Sequence, residues 1–155
     1  MDLTPIKVAA VILERHGISM CIVGELALNY YNVPRVCHVS RPVCSTRSCM
    51  ADDNQDLEIC VPFGFDSIEN ILIPPMSEGD IYFSKEMQLS REDITNLRLP
   101  RLAPLLKGLA RRFLDTKDDV AMIAVEQLVD GMDIDEAWVE RHLGGSDAAL
   151  LDLVM

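Results

Sequence analysis

Ile22-Val23-Gly24-Glu25-Leu26-Ala27-Leu28, followed further along by Asp56-Leu57-Glu58-Ile59-Cys60-Val61, decides how this chain is read. The first stretch is an apolar strand that ends in glycine and runs directly into a helix. Residues 19–23 carry the strand, Gly24 makes the turn, and residues 25–31 form a short helix that must stop before Pro34. The second stretch is a strand over residues 56–61, ended by Pro62. Side chains two apart on a strand share a face, so Asp56 and Glu58 are expected to point together, away from Leu57 and Ile59.

Two adjacent carboxylates repel each other, and a divalent cation is the usual compensation. Such ions activate an attacking oxygen and steady a leaving pyrophosphate. Glycine at a strand-to-helix turn lets phosphate come close to the backbone. Each feature alone is common as plain structure: an Asp-x-Glu is most often a solvated strand edge, and such a glycine is most often only a turn.

The longer string is more specific. Residues 23–35, Val-Gly-Glu-Leu-Ala-Leu-Asn-Tyr-Tyr-Asn-Val-Pro-Arg, followed by Asp56-Leu57-Glu58, resemble the nucleotidyltransferase-fold superfamily, in its minimal and abortive-infection-type branch. That branch has the pattern Val-Gly-Gly-x-Ala, a helix, x-Pro-Arg and then Asp-x-Asp. The resemblance covers roughly residues 18–61. It implies an α/β (α+β) fold with a small mixed sheet, and it implies Mg²⁺ and a nucleoside triphosphate as ligands. By the same resemblance Gly24, Glu25 and Arg35 fall at nucleotide-binding positions. Asp56 and Glu58 fall at the catalytic, metal-binding pair, and Asp80, ahead of Ile81-Tyr82-Phe83, is the candidate third metal ligand. The chain departs from the pattern in three places: Glu25 stands where the second glycine is found, Glu58 stands where the second aspartate is found, and the third carboxylate has no plain match on a later strand beyond the candidate Asp80. The implied activity is metal-dependent transfer of a nucleoside monophosphate to an acceptor. The alternative is a catalytically inactive relative, a binding or regulatory module on the same fold.

Between the two halves of the motif lie residues 39–55, polar and without hydrophobic periodicity, which read as an inserted loop. Deleting them would join Pro34-Arg35-Val36-Cys37-His38 directly to Asp56. A genetic origin is also compatible. Val39-Ser40 can be encoded as an intron start, Gln55 as an intron end, and the 17 residues correspond to an in-frame length. The segment therefore reads equally as a genuine loop or as a translated retained intron. Cys37, His38, Cys44 and Cys49 lie in or beside it, but their spacing fits the paired ligands of structural zinc poorly.

Composition bounds the rest. The chain has 155 residues, 49% of them hydrophobic, enough for one domain with a core. A net charge of −11 disfavours general nucleic-acid binding. The apolar run at residues 8–13 is short and is followed by Glu14 and Arg15, so neither a membrane span nor a secretion signal is read. The expectation is a cytoplasmic or nuclear protein with its five cysteines reduced.

Ahead of the motif, Thr4-Pro5 opens a helix with Ile6, Ala9, Ala10 and Leu13 on one face, ended by Gly17. Residues 65–73 read as a helix fragment, residues 80–83 as a strand, and Ser90 with Asp93 as a capping pair. From Leu102 the pattern is helical. Leu102, Leu105, Leu106, Leu109 and Phe113 form one stripe. Thr116 with Asp119 is expected to start a second helix bearing Val120, Ile123, Ala124 and Leu128, with Gly131 as its stop. Asp133 with Glu136 is expected to cap a third helix anchored by Trp138, and a short helix follows Ser146. His16 and His142 are placed at helix ends. Arg98, Arg101, Lys107, Arg111 and Arg112 form a basic cluster, read first as a solvated face and second as a grip for a nucleotide's phosphates or an acidic partner. The expected organisation is an α/β core over residues 1–100 and a helical C-terminal portion over residues 101–155 packed on it.

Overall fold

A computed structural model describes residues 4–18, 20–33, 42–45, 57–60 and 97–155. Helices dominate these residues, and three short strands accompany them. Helix α1 spans Thr4–Arg15, strand β1 Cys21–Val23, and helix α2 Glu25–Tyr30. Strands β2, Pro42–Ser45, and β3, Leu57–Cys60, follow. Four helices then run in sequence: α3 over Leu102–Thr116, α4 over Asp119–Gly131, α5 over Glu136–Leu143 and α6 over Ala148–Val154.

The strands form a mixed sheet in the order β1-β3-β2, with β3 antiparallel to β1 and parallel to β2. Strand β2 lies inside residues 39–55, so the loop expected throughout that segment is corrected at residues 42–45. Pro42 stands at the start of β2, where its missing N–H costs the ladder least, and the hydrophobic alternation used to find strands is too short to register in four residues. On the far side of β1, the Ile22 N–H donates to the Arg98 carbonyl at 2.7 Å. Residues 97–100 thus run beside the strand. Residues 65–73, 80–83, Ser90 and Asp93 lie outside the described residues.

Three helices end in the same way, and the sequence explains each. The Ile18, Val33 and Ile134 amides donate back to the carbonyls of Leu13, Leu28 and Val129, five residues earlier. The residue before each donor is left-handed: Gly17 at φ 68°, Asn32 at φ 62° and Asp133 at φ 51°. Glycine, asparagine and aspartate tolerate that conformation best, and the buried apolar Val33 closes the α2 terminus. Two helix starts differ from expectation. Asp118, rather than Thr116 with Asp119, caps α4 by accepting from the Val120 N–H at 3.0 Å. Asp135, rather than Asp133, caps α5 by accepting from the Trp138 N–H at 2.7 Å. Thr116 instead closes α3, its hydroxyl donating to the Arg112 carbonyl, and Asp133 is committed to ending α4.

The core is continuous across both parts of the chain. Ile6, Met20, Ile22 and Leu26 from the first part are buried in one cluster with Leu106, Val125, Leu128 and Leu150 from the second. Ala9, Ala10 and Leu13 pack against it as the α1 stripe predicts. Helix α4 buries Ala124 and Leu128 of its expected stripe but is turned away from Val120 and Ile123. Its buried residues are Ala121, Ala124, Val125 and Leu128, whereas Val120 and Ile123 are exposed. Both sets keep helical spacing, so periodicity alone does not choose between them. Small Ala121 and Ala124 allow α4 to approach its neighbours closely, and the bulkier pair is left outside. Trp138 is only partly buried, with Val139 and Leu143 fully buried beside it. Its ring lies 4.6 Å from that of His142.

The seam between the two parts is made by the end of α2. The Tyr31 hydroxyl donates to the Pro100 carbonyl at 2.7 Å, and its burial pushes the phenol pKa upward. The Asn32 side-chain amide donates to the Gly131 carbonyl at 3.2 Å. Gly131 is the last residue of α4 and not its left-handed stop, which is Asp133. A Cβ at Gly131 would lie 3.2 Å from the Asn32 carbonyl oxygen and 3.4 Å from Val33 Cγ2. Close approach is therefore the reason for glycine here. Gly131→Ala is expected to destabilise by about 1–2 kcal/mol, because crowding a held backbone outweighs alanine's helix preference. Gly108→Ala in α3, where an added Cβ meets nothing within 4 Å, is expected to stabilise by up to about 1 kcal/mol. Denaturant melts of the two variants side by side test the seam, and equal effects would contradict it.

Cys21, in β1, is buried, and burial raises its thiol pKa from 9.0 to about 11. The folded chain therefore holds this proton more tightly than the unfolded chain. The sign follows: stability is unaffected below pH 9 and falls between pH 9 and pH 11, by about 1.4 kcal/mol per pH unit at most. The expected observation is a steeper alkaline loss of stability in the parent than in Cys21→Ala, and parallel curves would contradict it.

Candidate nucleotide and metal site

Gly24 occupies a conformation reserved for glycine, φ 74° and ψ −150°, and forms the cap of α2. The chain reverses there because β1 is buried along its whole length and α2 must lie back on the same core. Five of the six α2 residues, Leu26 to Tyr30 in order, are buried. A substitution at Gly24 would strain the turn whatever the space around it.

The β1–β3 register brings the two halves of the sequence motif together. Val23 pairs with Glu58, Ile22 with Ile59, and Cys21 with Cys60. The strand that carries Glu58 therefore runs past the last residue before Gly24, and the start of β3 and the end of β1 share one end of the sheet. Glu25 is the first residue of α2, half-buried, with its Oε2 shielded from solvent. A carboxylate in the first turn of a helix is electrostatically favourable, which explains why the fold accepts it. Asp56, Arg35 and Asp80 lie outside the described residues, as do Cys37, His38 and Cys49. Among the described residues, no three or more His, Cys, Asp or Glu side chains group in a way that could hold a metal ion.

The basic cluster is dispersed into ion pairs. Arg98 reaches Glu14 at the end of α1, at 3.3 Å across 84 positions of sequence. Arg111 grips Asp147, the residue ahead of α6, at 2.8 Å. Arg112 is buried, its Nε against Oδ2 of Asp118. Lys107 is exposed on α3. These arginines face different neighbours, and Arg101, Lys107 and Arg111 are exposed as a solvated face requires, whereas Arg112 is buried. Their partners are remote in sequence or belong to the next helix, which is why spacing along α3 gave no signal of them. In the region from Asp130 to Asp135, Asp133 takes the left-handed position that ends α4 and Asp135 caps α5.

No helix among the described residues is long and apolar enough to cross a membrane. No family model matches the chain, and the comparisons with curated proteins and with solved structures find no match.

Proposed function

We propose that this chain is a nucleotidyltransferase-like domain that binds Mg²⁺ and a nucleoside triphosphate and transfers a nucleoside monophosphate to an acceptor hydroxyl. The observation that supports this reading is the antiparallel pairing of Val23 with Glu58. A glycine turn open to phosphate and a carboxylate strand able to take a cation must be neighbours for this chemistry, and the register makes their backbones neighbours. In this reading Asp56 and Glu58, with Asp80, hold the metal, while Gly24 and Arg35 contact the triphosphate. The metal supplies charge neutralisation at the phosphates. The acceptor oxygen attacks the α-phosphorus and pyrophosphate leaves.

A second reading is favoured by Glu25. Its carboxylate stands at the glycine turn, partly buried, and brings negative charge to where phosphate would approach. On that reading the domain is an inactive relative that binds or regulates a partner. One experiment separates the two: thermal unfolding of the parent, Asp56→Ala and Glu25→Gly with Mg²⁺ and each of the common nucleoside triphosphates. The first reading expects the parent to be stabilised, by about 2.7 kcal/mol at ligand concentrations one hundred times the dissociation constant, and Asp56→Ala to lose this. Stabilisation that appears only in Glu25→Gly supports the second. A parent that shows no shift with any nucleotide overturns the enzyme reading.

A further inference from the structure

We draw no further inference here: the strongest candidate, the exposed apolar stripe of Val8, Val11 and Ile12 along α1, carries nothing because nothing in the structure shows what covers it.

Discussion

Asp118→Ala is expected to lower the unfolding free energy by about 3–5 kcal/mol, the range for breaking a buried ion pair from one side. The Asp118 side chain does two jobs with its two oxygens. Oδ1 accepts from the Val120 N–H and caps α4, while Oδ2 faces the Arg112 guanidinium. Solvent barely reaches the pair, with side-chain exposures of 10% for Arg112 and 14% for Asp118. Removing the carboxylate therefore takes one partner from a guanidinium that is largely shielded from water. Loss of the cap alone would account for about 1 kcal/mol. The double variant Asp118→Ala, Arg112→Met removes the buried charge as well and keeps most of its volume, so it should recover much of the loss. Chemical denaturation of the parent, both singles and the double closes the cycle. If Asp118→Ala costs no more than a surface cap, the pair is not buried as described.

Leu106→Ala is expected to cost about 2–5 kcal/mol, the range for deleting a wholly buried leucine. Leu106 lies on α3 with no solvent exposure, in the cluster that joins the two parts of the chain. Its removal leaves a void bounded by helices whose positions are fixed by other contacts, and partial collapse sets where in the range the value falls. For a chain of this size, each kcal/mol corresponds to roughly 2–4 °C in melting temperature. The informative control is Val120→Ala. Val120 is as apolar as the core residues and belongs to the stripe expected from sequence, yet it is 58% exposed. Its truncation should change stability by less than about 0.5 kcal/mol. A large effect at Val120 together with a small one at Ala124→Ser would mean that α4 is turned the other way.

Much of the fold was legible in the chain because local rules and packing agree there. The α1 face of Ile6, Ala9, Ala10 and Leu13 buries as its spacing implies, and the α3 stripe does the same at Leu105 and Leu106. Glycine after a buried strand marked the turn at Gly24. Legibility failed where several residues could play one part. Between α3 and α4, Thr116, Asp118 and Asp119 are all good caps, and Asp118 is the one used, its other oxygen meeting the buried Arg112. Between α4 and α5, Gly131 and Asp133 both suit a helix end. The approach of Asn32 assigns Gly131 to close packing and leaves the left-handed position to Asp133.

The candidate site divides in the same manner. Residue types and order alone drew attention to Gly24, Glu25, Asp56 and Glu58, because a glycine turn and paired carboxylates carry their chemistry in their composition. That the backbone before Gly24 pairs with Glu58 was not in the sequence, since pairing register depends on which strands meet. The structure sets Val23 against Glu58 across more than thirty residues of intervening chain. It also sends the arginines that composition grouped into one patch to different partners: Arg98 to Glu14, Arg111 to Asp147 and the buried Arg112 to Asp118. By itself the sequence determined that helices follow Thr4 and Leu102 and that a buried strand runs into the turn at Gly24, which residues are apolar enough for the core, and which side chains carry chemistry. Tertiary structure decided which face of α4 is buried, which of several caps is used, and that the glycine turn lies beside the carboxylate strand. The physical reason is that the first set depends on neighbours within a few residues. The second depends on desolvation and contact between segments that the chain brings together only on folding.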